Sequence, residues 1–492
     1  MKTINISTVI CCIFLIFTAA FSQNNKFNIL HVEKTFGRNY INDAVITGKE
    51  IIFPERIHKA FLDTTTHYLT VQLRDLTYDE KYLRNTGVML QYDLTLNKVL
   101  WSENISYLAE DFMQFNNLLI HKISNRTRRL DVKTGKELWS VDNHIFAVDP
   151  TLKFGLGYKH NAWSGGYTNE LEGISMTNGT RLWKRKINSA YGYNDLFYIN
   201  DYTLLAIASG LHAINIITGE GWDYNAMTGK NQYEGMASNV LIDSAFIYFA
   251  SKDQIVKLDK HTGKIEWKNR LQYESAKSLI FMNDSVVYMI NYAYAFFGVS
   301  QSDIGSAFVA AFDRQTGKQR YFSFSTYNYG AVKGFKILEK EIILLFRNRV
   351  VKYDMNTGTK ISEKKFLKKE FGQIRYFVGN RVFITNNNGD LVNLAQSDST
   401  KMHFYTSQNE IVSIDNQLNV IDRMDFDSTG IYFLRYNDYK FIVKDKKTYV
   451  INNEGKTVAE IEITTNAFII DNILYDRKEK SFITINLKTL LL

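Results

Sequence analysis

Four Thr-Gly-Lys tripeptides, which begin at Thr134, Thr228, Thr262 and Thr316, contain the residue types of a phosphate-binding loop. Such a loop has a second glycine five residues earlier and a Ser or Thr after the lysine, so that backbone N–H groups surround a phosphate. No copy in this sequence has both features. We therefore interpret the tripeptides as turns.

Gly155-Leu-Gly157 has the first two glycines of a dinucleotide-binding fingerprint, which lies between a strand and a helix. His160 replaces the third glycine, and no helical periodicity follows it. We predict a bend between two strands at this point.

Patterns for metal binding and nucleophilic catalysis are weak. The nine histidines are scattered without the spacing of metal ligands, and no Gly-x-Ser-x-Gly segment is present. Asp422, Asp425 and Asp427 form an acidic segment that lacks the later ligands of an EF-hand. We interpret it as an acidic turn, with a calcium loop as the alternative. The sequence thus predicts no catalytic residue and no metal site.

The Thr-Gly-Lys fragments belong to a longer sequence motif that recurs along the chain. Its fullest copies run from Arg129 to Trp139, from Lys257 to Trp267 and from Ala311 to Tyr321. Repeats of roughly 40 to 50 residues, separated by short β-type runs, indicate the blades of a β-propeller. The turn position of the motif recurs at intervals of 38 to 54 residues, at Asn97, Gly135, Gly179, Gly219, Gly263, Gly317 and Gly358.

Each copy has the local chemistry of a hairpin. The Asp accepts hydrogen bonds from the turn backbone, the Thr supports the turn, and the Gly supplies a positive φ. The aromatic residue four positions after the glycine begins the outgoing strand, where burial between blades contributes about 1.5–3 kcal/mol. The predicted structural docking residues are Trp101, Asp131, Gly135, Trp139, Trp183, Asp259, Gly263, Trp267, Asp313, Gly317 and Tyr321.

These copies resemble the docking motif of the pyrroloquinoline-quinone-like (PQQ-like) β-propellers, Ala-x-Asp-x-x-Thr-Gly-x-x-x-Trp. The resemblance covers at least residues 90–360. It implies an all-β fold, a closed propeller of four-stranded antiparallel blades. The family includes quinone-dependent dehydrogenases and propellers without a cofactor, so the resemblance does not decide the chemistry.

The blade number depends on the ends of the chain. Weaker matches to the motif lie near Ser397, at Gly455 and at Lys488. We predict eight blades, within a range of seven to ten. The segment from Phe482 to Lys488 repeats the first half of the motif and is predicted to be the strand that closes the ring.

Residues 1–22 have the pattern of a secretory signal peptide, with Lys2 before an apolar run and small residues at Ala20 and Ser22. Cys11 and Cys12, the only cysteines, lie inside it. We expect cleavage and a mature chain of residues 23–492 that forms one propeller domain. No Cys follows the predicted cleavage site, so a lipoprotein is not expected.

The composition excludes some partners. A formal net charge of +8 is mild for 492 residues and does not indicate nucleic-acid binding. No apolar stretch after residue 22 is long enough to cross a bilayer. Together with the predicted cleaved signal peptide, this pattern leads us to expect an exported protein, periplasmic or extracellular.

Two segments break the repeat and are candidate interaction surfaces. Trp163 lies in a glycine-rich segment outside the docking register, where it either stacks on a ligand or fills a gap between blades. The longest interval contains Tyr292, Tyr294, Phe296 and Phe297, either as a binding loop or as a longer strand packed in its blade.

Because no catalytic pattern is found, we expect a non-enzymatic scaffold, by analogy with the propeller subunit of the outer-membrane β-barrel assembly machinery, which the repeat motif resembles. We expect an envelope or extracellular protein as partner and no cofactor, and the oligomeric state stays open. The alternatives are a dehydrogenase that holds PQQ and Ca²⁺ and a glycan-binding propeller.

Overall fold

The computed structural model describes residues 27–124, 126–149, 151–161, 166–187, 195–207, 210–225, 237–251, 253–297, 300–397 and 400–490. The predicted signal peptide lies outside these residues. In the described parts of the chain, antiparallel β-sheet dominates the regular structure.

In the part of the chain that the structure describes, two strands, β1 (Leu30–Asn39) and β2 (Val45–Ile52), precede eight separate four-stranded sheets, which we number 1 to 8. Sheet 1 contains β3 (Ile57–Asp63), β4 (Tyr68–Leu73), β5 (Thr86–Asp93) and β6 (Lys98–Ser106). Sheet 2 contains β7 (Glu110–Phe115), β8 (Leu118–Ile123), β9 (Arg126–Leu130) and β10 (Glu137–Val141). Sheet 3 contains β11 (His144–Val148), β12 (Phe154–Asn161), β13 (Gly166–Ser175) and β14 (Arg181–Lys186). Sheet 4 contains β15 (Asp195–Asn200), β16 (Thr203–Ile207), β17 (Leu211–Asn215) and β18 (Gly221–Tyr224).

The second half of the ring follows the same plan, with two inserted hairpins. Sheet 5 contains β19 (Leu241–Ile242), β20 (Phe246–Ser251), β21 (Gln254–Asp259) and β22 (Ile265–Arg270). Sheet 6 contains β23 (Ser278–Met282) and β24 (Val286–Asn291), then, after the hairpin of β25 (Tyr294–Phe297) and β26 (Ser300–Asp303), β27 (Phe308–Asp313) and β28 (Gln319–Phe324). Sheet 7 contains β29 (Gly334–Ile337), β30 (Glu341–Phe346), β31 (Arg349–Asp354) and β32 (Lys360–Lys365). Sheet 8 contains β33 (Ile374–Phe377), then, after the hairpin of β34 (Val382–Thr385) and β35 (Leu391–Asn393), β36 (Met402–Thr406), β37 (Glu410–Ile414) and β38 (Val420–Asp425).

An eleven-stranded sheet joins the two ends of the described chain, in the order β35-β34-β39-β40-β41-β42-β1-β2-β45-β44-β43. Its remaining strands are β39 (Gly430–Tyr436), β40 (Tyr439–Lys444), β41 (Lys447–Ile451), β42 (Thr457–Ile461), β43 (Phe468–Ile470), β44 (Ile473–Arg477) and β45 (Ser481–Asn486). The helical segments of the described residues are α1 (Lys368–Phe371), α2 (Leu394–Ser397) and the 3₁₀ turns Tyr327–Tyr329, Phe426–Ser428 and Leu487–Leu490.

The position of a strand within its sheet explains its sequence. In β30, every residue from Ile342 to Phe346 is buried, because neighbouring sheets cover both faces of an inner strand. The outermost strand of the same sheet, β32, contains three lysines and no buried residue. Continuous apolar runs in the sequence therefore mark inner strands, and charged runs mark outer ones.

The core consists of apolar clusters, each shared by two neighbouring sheets. Leu205 of sheet 4 packs with Ile247 of sheet 5, and similar clusters link the sheets from 1 to 8 and on to the eleven-stranded sheet. Phe482 of β45 packs with Leu69 and Leu90 of sheet 1, which completes the circuit. The fold is a closed β-propeller, and the predicted fold class is confirmed.

Strands from the two ends of the chain close the ring. β45 pairs antiparallel with β2, from Gly48 opposite Ile485 to Ile52 opposite Ser481. This confirms the predicted closing strand. β1 pairs with both β2 and β42 and so fuses two four-stranded runs into one sheet, and the number of blades stays a prediction.

Two local predictions were wrong. Gly155 and Gly157 lie inside β12 rather than at a bend, because both residues pair with β11 and with β13. Glycine stands there for want of space, since a Cβ at Gly157 would lie 1.6 Å from Asn143 Oδ1. The weaker match to the motif near Ser397 is part of α2. The turn of sheet 8 that corresponds to the docking turns runs from Asp415 to Asn419 instead. Leu418 adopts the positive φ of 68° in that turn, so no glycine marked it.

Candidate interaction surface

The repeated turns have the hydrogen bonds that their sequence predicts. Asp131 Oδ1 accepts from Thr134 N and from Thr134 Oγ1, each at 2.7 Å, and Gly135 has a φ of 69°. Asp259 and Asp313 accept in the same way from Thr262 and Thr316. These bonds, above all the one from the threonine hydroxyl, hold the pKa of Asp131 below its ordinary value.

In the six copies that have one, the aromatic residue after the turn joins its own sheet to the next. Trp267 Nε1 donates to Arg314 O at 3.1 Å, and its ring covers Gly317, where a Cβ would lie 2.6 Å from Trp267 Cδ2. Only glycine fits beneath such a ring. The same pairing of ring and turn glycine occurs at Trp101 and Gly135, Trp139 and Gly179, Trp183 and Gly219, Trp222 and Gly263, and Tyr321 and Gly358.

Replacing the turn carboxylate tests the local part of this arrangement. Asp131→Ala is expected to lower the free energy of unfolding by about 1–2 kcal/mol, because two turn donors lose their acceptor. Asp131→Asn should lose less, since Asn215 fills this position in sheet 4 and accepts from Ile217 N and Thr218 N.

The pH dependence of these variants gives a second readout. The folded pKa of Asp131 is depressed, so its contribution is present above the unfolded pKa and is lost as the pH falls through the folded pKa. Urea unfolding at neutral pH and below pH 4 should show the gap between wild type and Asp131→Ala shrinking in acid. A gap that is constant with pH would contradict this role.

The ring has two faces with different connections. Strands of a meander alternate in direction, so turns between its first and second strands and between its third and fourth lie at one face. We call this the turn face, and it includes the docking turns. The loop face is opposite and includes the connections between second and third strands and the links between sheets.

Among the connections between second and third strands in the described chain, two are long. Residues 74–85 join β4 to β5, and residues 292–307 join β24 to β27 and include the β25–β26 hairpin. The equivalent turn of sheet 7 consists of two residues, Arg347 and Asn348. Extra length in a repeat array commonly forms a binding face.

The sequence singled out the second of these connections. Tyr292 and Tyr294 are half-buried, with ring centroids 5.7 Å apart, and Tyr292 also stacks on Phe335 of sheet 7 at 5.9 Å. Burial raises the pKa of Tyr292. Tyr292 therefore packs between sheets 6 and 7, and Tyr294 packs against it. Their contact with a partner stays a prediction.

Three further candidates cannot be placed in the same way. Phe296 and Phe297 belong to β25, where Phe297 pairs with Ser300, but their side chains lie outside the described part of the structure. Trp163 lies outside the described residues.

The connection at residues 74–85 was missed, because it precedes the first clear copy of the repeat. Tyr78 is fully exposed and Tyr82 is 70% exposed. Two tyrosines among charged residues between two strand-like runs were the available signal.

Another cleft lies beside the strands that close the ring. Its volume is 680 Å³, and His31, Thr47, Asn97 and Thr484 are among its lining residues. His31 Nε2 lies 2.8 Å from the Tyr92 hydroxyl, and burial lowers the pKa of His31. Nothing in this lining resembles a nucleophile with its base.

The described residues contain no group of three or more His, Cys, Asp or Glu side chains placed to hold a metal ion. In the acidic segment predicted as a turn, Asp425 Oδ1 accepts from Asp427 N at 2.9 Å and caps the 3₁₀ turn. No helix of the described chain has the length and apolar character that spanning a bilayer requires.

The fold and docking turns define the class: the protein is an all-β propeller that resembles the PQQ-like repeat proteins. A family model described as outer membrane protein assembly factor BamB matches residues 79–269. No curated protein matches the sequence.

Two solved structures show distant similarity. BamB from Moraxella catarrhalis has 13% sequence identity and a TM-score of 0.33, with 76% of this chain and 96% of that chain covered. A eukaryotic initiation factor has 10% identity and a TM-score of 0.36, with 82% and 95% covered.

Proposed function

We propose that this chain is an exported β-propeller that acts as a rigid protein-interaction scaffold in the cell envelope. The observation that carries the proposal is the ordered loop at residues 74–85, which presents two exposed tyrosines on the loop face. The family model supports the envelope setting through its description, and the predicted signal peptide supports export.

Internal hydrogen bonds hold this loop in one shape. Thr77 N donates to Tyr82 O at 2.6 Å, and Arg84 N donates to Asp75 O at 2.9 Å. Thr77 Oγ1 donates to Asp79 Oδ1 at 2.5 Å. A loop that is already ordered loses little conformational entropy on binding, so more of its contact energy appears as affinity.

The base of the loop is fixed to the ring. Asp75 Oδ1 lies 3.8 Å from Arg56 Nε, and Glu55 Oε1 lies 3.9 Å from Arg84 Nη1. Arg74 lies over the Tyr107 ring, 4.6 Å from its centroid. The tyrosines are therefore carried by a braced support.

Tyrosine is enriched at the centres of protein interfaces, because a rigid ring buries a large area and its hydroxyl can still find a partner. Tyr78 and Tyr82 have this character, and neither covers the core. Their exposure favours a protein partner over a purely structural role for the loop.

Site-specific photocrosslinking tests this proposal. A benzophenone amino acid at position 78 should crosslink to one or a few proteins in native envelope preparations, and Tyr82→Ala should reduce the yield several-fold. The matched control carries the same group at Tyr202, which is 51% exposed on the turn face. Equal patterns at positions 78 and 202, or no protein adduct at position 78, would overturn the proposal.

A further inference from the structure

A second feature of the loop face is a groove of 550 Å³ at the junction of sheets 6, 7 and 8. Its volume is within the range of ordinary ligand pockets. Segments far apart in sequence form its walls, namely the end of the β25–β26 hairpin, residues 328–333, the Arg347–Asn348 turn and residues 373–376.

Three cations line this groove: Lys333, Arg347 and Arg375. Among the described residues, no carboxylate lies within ion-pairing distance of any of the three. Asp303 is the one acidic residue in the lining, so the groove has a net charge of about +2.

The neighbouring Arg349 shows what a structural arginine looks like in this region. It forms an ion pair with Glu363, and its guanidinium lies over the Tyr329 ring, 3.9 Å from the centroid. Tyr329 Oη donates to the same Glu363 at 2.5 Å. The charge of Arg349 is thus neutralised within the protein, whereas the charges of Arg347 and Arg375 face solvent.

Backbone hydrogen bonds hold together the segments that carry the three cations. Ile374 N donates to Arg347 O at 2.8 Å, which links the residue before Arg375 directly to Arg347. Lys333 N donates to Leu345 O at 2.7 Å, two residues before Arg347. Because the supporting strands belong to packed sheets, binding an anion would not require these segments to reorganise.

We propose that this groove binds an acidic segment of the protein partner, so the inference rests on the proposed function and adds the chemistry of the partner. Guanidinium groups recognise carboxylates through paired, charge-assisted hydrogen bonds, and clusters of arginine commonly read acidic motifs. Asn328, Asn348 and Gln373 line the same groove and offer amide groups to a peptide backbone. The half-exposed ring of Tyr376 adds an apolar contact.

Fluorescence anisotropy with the purified chain tests this inference. The probe is a labelled twelve-residue peptide of alternating Asp and Ser, and its neutral counterpart has Asn in place of Asp. The acidic peptide should bind at low salt, should weaken several-fold at 0.3 M salt, and should bind at least tenfold more tightly than the neutral one.

Charge reversal locates the site. Arg347→Glu with Arg375→Glu should weaken binding of the acidic peptide at least tenfold. The matched control is Lys133→Glu with Lys264→Glu, two exposed lysines of the turn face, which changes the net charge equally. The control should stay within twofold of wild type, and thermal unfolding should confirm that both variants are folded.

Equal weakening by the two double variants, equal binding of the two peptides, or binding of anionic vesicles or a sulfated polysaccharide in place of the acidic peptide would overturn the inference. The assay uses no envelope partner. Its failure would therefore leave the crosslinking at position 78 intact, and failed crosslinking would leave peptide binding intact.

Discussion

Trp267→Ala is expected to lower the free energy of unfolding by about 3–5 kcal/mol, the usual cost of removing a buried aromatic side chain. The indole is 9% exposed and packs in the cluster shared by sheets 5 and 6. Its removal also leaves Arg314 O without the donor at 3.1 Å. Denaturant unfolding measures the loss, and Trp139→Ala should behave alike.

The turn glycine beneath the ring allows a sharper test. Gly317→Ala should lower the free energy of unfolding by about 1–3 kcal/mol, because a side chain at a φ of 75° is strained. The loss should be larger still, because the new Cβ would collide with the Trp267 ring. In the Trp267→Ala background the collision is absent, so the double variant should lose less than the sum of the single losses.

Ile265→Ala is the matched control, since Ile265 is exposed in the same strand and should cost about 0.5 kcal/mol or less. Additive losses for the double variant would show that ring and glycine are energetically independent.

From the sequence, Trp163→Ala is predicted to lower the free energy of unfolding much less than Trp267→Ala if Trp163 serves a ligand.

Truncation after Lys480 is expected to abolish the cooperative unfolding transition. The cut removes β45, whose buried Phe482, Ile483 and Ile485 side chains are each worth about 2–5 kcal/mol. Their sum is comparable to the whole stability of a typical domain, about 5–15 kcal/mol. Without β45, β2 and β44 also lose the strand that lies between them.

Circular dichroism melting and limited proteolysis would show the loss. A control that ends after Lys488 keeps β45 and the buried Leu487 and should melt cooperatively. A synthetic peptide of residues 478–492, added in trans, should restore part of the transition. A truncated chain that melts as the control does would contradict the closing role of β45.

The fold was predictable because its repeated unit is local. Asp131, Thr134 and Gly135 form their turn with one another, so the chemistry of the hairpin is complete within a few residues. The turn of sheet 8 was not predicted, because its local residues differ from those of the other copies. Leu418 adopts the positive φ that glycine usually marks, and a sequence pattern cannot reveal that substitution.

The candidate surface was less predictable, because exposure depends on the neighbours that a residue meets in the ring. Tyr292 and Tyr294 were candidates for an exposed loop, but both are half-buried, because Tyr292 stacks on Phe335 of the next sheet and Tyr294 stacks on Tyr292. Tyr78 and Tyr82 have the same residue type and are exposed, since their loop extends beyond its sheet.

By itself, the sequence determined that this chain is built from repeated hairpins, most of them followed by an aromatic docking residue. It also determined which strand closes the ring. Only the tertiary structure decided that each ring covers the glycine of the following copy, as Trp267 covers Gly317. It alone brought Lys333, Arg347 and Arg375 to one groove. Local hydrogen bonds are encoded within a few residues, whereas a shared surface depends on how three separate sheets pack around an axis.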